Sequence, residues 1–440
     1  MDLKLTSRKA EENTVEAISS KSYVHRLLIA AALCGSECEV ATNIVSKDME
    51  ATIRALRSLG LSVSIKGSDY GAKITRSDII DCGESGSTAR FLLPVAALVA
   101  DKVTLTGSGK LPERPMGPLC DVLRSAGVTV SSDHLPITVI GRPHSGDYEI
   151  PGNVSSQFIS GLLFMLPLLS GDSHLKVTGG LESAAYVDMT IDVLARFGIR
   201  IEREPDGFFI RGGQNYTALS DPDQNPCHEI KAEGDWSNGA YIMALGALGC
   251  GRLFDSLTVT GLDPESIQGD RAVVDIFEKF GIQVDIIREE NSKEADYVIK
   301  SNPKHPVDID CTQIPDLVPA LAVLAAFAPG KSVFRNVGRL RMKECDRVEA
   351  ISEMLGAIAD KVDIKCDGDS EVIVVCGCAG GQAPHISIDS KNDHRIAMAA
   401  AAIAAATDNP VVIKDAMAVD KSYPGFYDVI RRIGIDSEET

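Results

Sequence analysis

One recurring phrase limits the fold of this chain more than any other feature: a helix-like stretch that ends at glycine and runs directly into a β-branched alternation. It reads Leu56-Arg57-Ser58-Leu59-Gly60-Leu61-Ser62-Val63, then Leu123-Arg124-Ser125-Ala126-Gly127-Val128-Thr129-Val130, then Leu194-Ala195-Arg196-Phe197-Gly198-Ile199-Arg200-Ile201. It returns as Phe277-Glu278-Lys279-Phe280-Gly281-Ile282-Gln283-Val284, degenerates across 355–364, and closes with Ile430-Arg431-Arg432-Ile433-Gly434-Ile435. Glycine just past a helix end can take the left-handed conformation that stops the helix, and alternating apolar and polar residues suit a strand with one buried face. The copies lie about 65 to 85 residues apart, beyond the roughly 20 to 50 of a solenoid repeat. The pattern predicts six α/β units, three in each of two domains. Residues 216–233, rich in Asp, Pro and Asn, are the candidate crossover, with an ordinary surface loop as the alternative.

With 440 residues, 44% hydrophobic and 24% charged, the chain can bury two cores. A formal charge of −18 argues against nucleic acid or an anionic membrane as partner, because a polyanion needs a broad basic surface. Any positive region must be local. Residues 1–13 alternate in charge without an apolar core of signal-peptide length, and the longest apolar run, 396–406, is far short of the roughly 20 residues that span a bilayer, so a cytoplasmic protein is expected. The eleven cysteines are scattered singly apart from Cys34/Cys38 and Cys376/Cys378, which indicates reduced thiols rather than a disulfide framework or a paired metal site.

Several cations stand where a helix would start. Lys21 and Ser22, with Arg26 one turn on, follow Ser19-Ser20 and lead into the apolar 27–33, so Lys21 meets the positive end of a helix dipole. Gly83-Glu84-Ser85-Gly86-Ser87-Thr88-Ala89-Arg90 opens a second apolar stretch with a Gly/Ser loop that could aim N–H groups at a phosphate, although it lacks the Walker ending. Asn153-Val154-Ser155-Ser156-Gln157 places hydroxyls and an amide at a third start, and Asn392-Asp393-His394-Arg395 puts Arg395 at the mouth of an Ala-rich helix. Such a guanidinium wants a bound anion, or a structural acid such as Asp393. Arg341-Met342-Lys343-Glu344-Cys345-Asp346-Arg347 can be read singly as a solvated helix face. Taken singly, each of these phrases has an ordinary structural explanation. Together, in an acidic chain, they imply one focused positive pocket for small, multiply charged anions.

In this order, the phrases resemble the enolpyruvyl transferases, most closely the branch that uses shikimate 3-phosphate, from Lys21 to Pro424. The likeness rests on Lys-Ser-x-x-x-Arg, Gly-x-x-Gly-Ser/Thr-x-x-Arg, Glu-Arg-Pro-Met, Ser-Ser-Gln-Phe, Ile-Pro-Asp, Arg-x-Lys-Glu-x-Asp-Arg, Asp-His-Arg-Ile-Ala-Met and Lys-Ser-Tyr-Pro. It implies an inside-out α/β barrel fold: two similar domains, each of three βαβαββ units, with helices inside, sheets outside and the active site in the cleft between domains. It also implies that the first strand belongs with the C-terminal domain, giving 1–18 plus 234–440 as one domain and 19–233 as the other.

By the same resemblance, Lys21, Ser22, Arg26, Ser155, Ser156, Gln157, Ser183, Tyr186, Asp316 and Lys343 would hold shikimate 3-phosphate. Lys21, Gly86, Arg114 and Gln157 would grip the phosphate of phosphoenolpyruvate, and Arg347, Arg395 and Lys421 its carboxylate. Asp316, Glu344 and Lys21 would move protons while the enolpyruvyl group passes to the 5-hydroxyl by addition and elimination. The resemblance implies no metal or organic cofactor and a monomer. The nearest rival within the fold, the transferase acting on UDP-N-acetylglucosamine, carries a reactive Cys before its Arg-Pro segment; here 107–113 holds none, and Cys120 reads as a buried, inert thiol. A non-catalytic anion-binding protein would be expected to lack Asp316, Glu344 or Lys21. Glu84 stands where the family often has Asn, Ser87 where Thr is common, Arg339 where Asn is found and Cys345 where Ser or Thr is usual. A carboxylate at 84 would weaken anion binding unless it is paired or turned away.

Overall fold

The computed structural model describes residues 1–35, 38–66, 76–217, 229–368, 370–377 and 385–440. Most of the candidate crossover at 216–233, and Cys378 of the Cys376/Cys378 pair, lie outside the described residues. The chain forms two compact units, one of Met1–Ser20 with Glu233–Thr440 and one of Lys21–Ala232.

Each unit holds three small sheets built on one recipe. In the clearest, Ile79–Asp81 leads through the helix Gly86–Val99 to Lys102–Thr106, which pairs parallel to it. The helix Gly117–Ser125 follows, then Thr129–Val130 and Ile137–Ile140, the last lying antiparallel between Lys102–Thr106 and Thr129–Val130. This is a βαβαββ unit. The same order recurs from Asp147–Pro151 to Gly207–Ile210 and from Asp308–Asp310 to Ser370–Gly377. Among the described residues five sheets have four strands and one, around Glu39–Ala41, has three.

The remaining sheets draw strands from distant parts of the chain. Thr14–Glu16 pairs parallel with Leu257–Leu262, and Leu3–Ser7 lies between Val411–Lys414 and Ile435–Glu439. Glu229–Lys231 likewise returns to pair parallel with Glu39–Ala41. The unit Lys21–Ala232 is therefore an insertion between two strands' worth of the first unit and its remainder.

Glycine ends the second helix of each βαβαββ unit as the repeated phrase requires: Gly60, Gly127, Gly198, Gly281 and Gly434 have φ of 80°, 89°, 75°, 71° and 97°. The degenerate copy differs. Gly356 stays right-handed at φ −57°, and the chain continues through extra residues before Lys361–Asp367 begins.

The first helix of each βαβαββ unit is the core helix. Trp236–Gly249 is buried along its whole length, and Val318–Phe327 and His394–Ala406 nearly so; Lys21–Cys34, Gly86–Val99 and Ser156–Met165 serve the other unit. A helix apolar all round must be covered on every side. Here the cover is other helices and the inward faces of the sheets, whose strands alternate in burial, as in Ala295–Ile299. Each fully buried Leu, Ile or Phe adds about 1.5–3 kcal/mol relative to exposure. Gly161 allows two core helices to touch: a Cβ there would stand 2.3 Å from the Arg90 carbonyl oxygen.

Candidate active site

Lys21–Ala232 gathers its cations and hydroxyls at the starts of the core helices. Ser85 caps Gly86–Val99 by accepting from Thr88 N at 3.2 Å, and Ser155 caps Ser156–Met165 by accepting from Gln157 N at 3.3 Å. The two starts are tied together, because Arg90 Nη1 donates to Gln157 Oε1 at 2.8 Å and Gln157 Nε2 donates to Ser87 Oγ at 2.9 Å. Gly86 has no side chain for a physical reason: a Cβ would stand 2.7 Å from Arg90 Nη1 and 2.8 Å from Arg114 Nη1. Two guanidinium groups thus approach the positive end of one helix dipole, an arrangement that favours an anion.

Lys21 opens its helix and donates to Asp48 Oδ2 at 2.8 Å, with both side chains 14% exposed. Below it runs a buried polar chain. His25 Nδ1 and Thr52 Oγ1 are 2.7 Å apart, Thr52 Oγ1 and Thr88 Oγ1 2.7 Å, and Thr88 Oγ1 donates to Ser85 Oγ at 2.7 Å. Burial, then the charges of Lys21 and Arg26, hold the His25 imidazole well below its ordinary pKa, so it is neutral. The chain fixes the Lys21 helix against the Gly86 helix.

Arg26 has a different posture. It is buried, and donates to Thr190 Oγ1 and to the carbonyls of Ser22 and Tyr186 at 2.7–2.8 Å, with Phe91 beneath its guanidinium. Burial pulls its pKa down to about 10, still far above neutrality. It anchors the helix Ala184–Arg196, which carries Tyr186 and starts after Ser183. Ser183 is a buried serine in the left-handed region at φ 53°, a conformation a non-glycine residue holds only where its surroundings enforce it. The Glu84 carboxylate packs on the backbone at Gly109, where a Cβ would stand 2.6 Å from its Oε2.

The other unit builds its cluster on Asp316. Arg347 Nη1 donates to Asp316 Oδ1 at 2.8 Å, Lys343 Nζ lies 3.3 Å from the same oxygen, and Arg395 Nη2 is 3.6 Å from Oδ2. Burial would raise the pKa of this carboxyl, but Lys343, Arg395 and Arg347 outweigh it and hold Asp316 well below the ordinary carboxylate range. Burial pushes the Lys343 ammonium down, with Asp316 opposing. Arg347 also donates through Nη2 to Glu344 Oε2 at 2.7 Å and through Nε to Asp393 Oδ2 at 2.7 Å. Lys421 donates to the carbonyl of Asn392 at 2.6 Å, next to Asp393.

The segment 341–347, which read singly could be a solvated helix face, does not form one. Gly338–Met342 form a 3-10 turn, Lys343 is extended, and the helix Arg347–Leu355 begins only at Arg347, capped by Asp346. Arg347 is 1% exposed and faces three carboxylates, which a solvated helix face cannot supply. Asp393, considered from sequence as an acid for Arg395, instead binds the Arg347 side chain and caps the His394–Ala406 helix by accepting from Arg395 N at 2.8 Å.

The structure places Lys21, Ser22, Arg26, Gly86, Arg114, Ser155, Ser156, Gln157, Ser183 and Tyr186 in one unit, and Asp316, Lys343, Glu344, Arg347, Arg395 and Lys421 in the other. Neither Asp48 nor Arg90 is among the site residues expected from sequence. Asp48 stands in the first turn of Lys47–Ser58, where an acid suits the dipole whatever else it binds, while Arg90 lies one turn beyond Gly86, a spacing that could have flagged it. Cys120 lies buried in Gly117–Ser125 with its thiol pushed up to about 12 by burial. Among the described residues no group of His, Cys, Asp and Glu has the geometry to hold a metal ion, and no helix is long and apolar enough to cross a membrane.

Comparison with known proteins adds a family to this geometry. The sequence model of the family described as EPSP synthase (3-phosphoshikimate 1-carboxyvinyltransferase) matches residues 5–430. The 3-phosphoshikimate 1-carboxyvinyltransferase of Clostridium kluyveri is 40% identical over 97% of this chain and 96% of its own, and that of Methanocorpusculum labreanum is 34% identical over 99% of each. Among solved structures, EPSP synthase from Acinetobacter baumannii matches with a TM-score of 0.76 over 100% of both chains at 22% identity. The enolpyruvyl transferase NikO from Streptomyces tendae matches with 0.72 over 99% of this chain and 98% of its own at 17% identity. These two likenesses speak for the fold, whose six sheets agree with the six units expected from sequence. The match across nearly the whole length, with relatives above 30% identity, establishes that the chain belongs to the EPSP synthase family.

Proposed function

We infer that the chain carries its family's activity, transfer of the enolpyruvyl group of phosphoenolpyruvate to shikimate 3-phosphate in the shikimate pathway, and that the two cation clusters divide the work. Lys21, Ser22, Arg26, Ser155, Ser156, Gln157, Ser183 and Tyr186 hold shikimate 3-phosphate, with Asp316 and Lys343 completing its site. Arg26 contributes by fixing Tyr186 and Ser22 through their carbonyls. Phosphoenolpyruvate is held at its phosphate by Lys21, Gly86, Arg114 and Gln157, and at its carboxylate by Arg347, Arg395 and Lys421. A guanidinium can meet a carboxylate or phosphate with two parallel hydrogen bonds, which suits each of these positions.

In the addition step the 5-hydroxyl oxygen bonds to C2 of the enol, the hydroxyl proton goes to a base and C3 gains a proton. In the elimination step C3 gives up a proton, the C2–O bond to phosphate breaks and the enol ether is left. Asp316, Glu344 and Lys21 are the groups for these transfers. The observation that carries this reading is the setting of Asp316, a carboxylate kept ionised by Lys343, Arg395 and Arg347. A substrate carboxylate that shares those cations weakens their hold on Asp316 and raises its basicity when the hydroxyl must be deprotonated.

Phosphate release from phosphoenolpyruvate, assayed with shikimate 3-phosphate and separately with UDP-N-acetylglucosamine, tests the assignment. Release only with shikimate 3-phosphate is expected. Release only with the nucleotide sugar would move the chain to the other transferase, and none with either would make it a binding protein.

A further inference from the structure

A run of buried polar side chains crosses three helices of the unit Lys21–Ala232 and ends at the loop that opens the Gly86–Val99 helix. His25 sits in Lys21–Cys34, Thr52 in Lys47–Ser58 and Thr88 in Gly86–Val99, and with Ser85 all four residues are at most 1% exposed. Successive atoms His25 Nδ1, Thr52 Oγ1, Thr88 Oγ1 and Ser85 Oγ lie 2.7 Å apart. The direction of the run follows from counting protons, since a threonine hydroxyl has one to give. Thr88 gives its proton to Ser85, so Thr52 gives its own to Thr88, and His25 Nδ1 is left as the donor to Thr52. The other ring nitrogen leads to the same tautomer. Nε2 is buried with no hydrogen-bond partner among the described residues, and a proton there would be an unpaired buried donor.

We propose that His25 is a positioning residue for the phosphate of phosphoenolpyruvate, acting as the Nδ1–H end of a one-way series of hydrogen bonds that holds the Ser85 cap at the start of the Gly86–Val99 helix. The inference rests on the reading that Lys21, Gly86, Arg114 and Gln157 grip that phosphate. Ser85 Oγ accepts twice from Thr88, from its hydroxyl at 2.7 Å and from its backbone N at 3.2 Å, so the cap is fixed from both sides of one residue. The residue after the cap is Gly86, where a Cβ would stand 2.7 Å from Arg90 Nη1 and 2.8 Å from Arg114 Nη1. A cap that turns moves the unpaired N–H groups of the helix start, and with them the place where an anion is held.

The neutral ring suits this role. Burial, then Lys21 and Arg26, keep His25 well below its ordinary pKa, so no second proton joins the ring at neutral pH. A charged imidazole would bring an N–H to a position with no acceptor. Lys21, one turn earlier on the same helix, is bonded to Asp48, one turn before Thr52 on Lys47–Ser58. The two helices are thus joined twice, by the Lys21–Asp48 ion pair and by the His25–Thr52 hydrogen bond, and the second link continues to the Gly86–Val99 helix.

The test pairs nitrogen nuclear magnetic resonance of enzyme with isotope-labelled histidine and steady-state kinetics. The His25 ring, identified by the signal missing from His25→Asn, should carry its proton on Nδ1 at neutral pH; a proton on Nε2 would overturn the inference whatever the variants do. Thr52→Val removes the link with little change of shape and should raise KM for phosphoenolpyruvate about 5- to 10-fold, with much smaller changes in kcat and in KM for shikimate 3-phosphate. His25→Leu should do the same. His25→Asn should recover most of the loss, because an asparagine Nδ2 can donate from the place of the ring Nδ1. A KM in His25→Asn as high as in His25→Leu would mean that the ring acts by packing, and would overturn the inference. Gly86→Ala is the control for the substrate reading. Were it to raise KM while Thr52→Val and His25→Leu keep the parent's value, the inference would fail alone. An unchanged KM in Gly86→Ala would overturn the phosphate reading together with it.

Discussion

Arg347 and Asp393 meet with both side chains buried, Nε donating to Oδ2 at 2.7 Å and Nη2 to Oδ1 at 3.2 Å. The guanidinium is a fixed post to which Asp316 and Glu344 are attached, each by a hydrogen bond of 2.7–2.8 Å. Breaking a buried pair leaves an uncompensated charge and typically costs about 3–5 kcal/mol. Asp393→Ala also removes the cap of the His394–Ala406 helix. A loss of stability in that range is expected by urea unfolding, and a loss below about 1 kcal/mol would show that Arg347 finds other partners.

Gly161→Ala should be costly although it adds one methyl. Its Cβ would stand 2.3 Å from the backbone oxygen of Arg90, so the helices Gly86–Val99 and Ser156–Met165 must part. A destabilisation of about 1–3 kcal/mol is expected from thermal or denaturant unfolding. The same shift should disturb the Arg90–Gln157 hydrogen bond and weaken substrate binding.

Gly86→Ala has a different outcome, because its Cβ meets the ends of flexible side chains rather than backbone. The fold should survive with little change in melting temperature. Displaced Arg90 and Arg114 heads should raise KM for phosphoenolpyruvate about 10-fold, more than they raise KM for shikimate 3-phosphate. Equal binding of both substrates by the variant would remove Arg114 and Gly86 from the phosphoenolpyruvate site.

Asp270, a buried carboxylate that accepts from the Ser237 hydroxyl, leaves a mark on stability. Its folded pKa of about 6 lies above the ordinary carboxyl value near 4, so the folded state holds this proton more tightly than the unfolded state. Its contribution therefore falls as pH rises from about 4 to about 6. The stability of the parent relative to Asp270→Asn should decline across that window and level off above it, as measured by urea unfolding at stepped pH. A difference that is flat with pH would mean that folding leaves the affinity of the Asp270 carboxyl for its proton unchanged.

The fold was legible where its signals are local. A glycine at a helix end is a property of a few adjacent residues, and five of the six phrases close with a left-handed glycine. Gly356 departs, staying right-handed with 357–360 before the next strand. Strand partnership is non-local, and only the resemblance, not the residue pattern, joined Leu3–Ser7 with strands more than 400 residues away. The site shows the same division. Cations at the starts of apolar helices stand out because burial and charge conflict within a single turn, as at Lys21 and Arg395. Asp48 does not, since an acid near the start of a helix looks like an ordinary partner of the dipole until its cation is seen. In the 341–347 segment the i, i+4 spacing of Lys343 and Arg347 suits a helix face, but the helix starts only at the last residue, so local spacing alone does not show that Arg347 is buried.

The central claim is that Asp316, kept ionised among Lys343, Arg347 and Arg395, moves a proton in the transfer. Phosphate release by Asp316→Asn under saturating phosphoenolpyruvate and shikimate 3-phosphate tests it most directly. A fall in turnover of roughly 100-fold or more, with both substrates still saturating, is the predicted result; turnover close to that of the parent enzyme would contradict it.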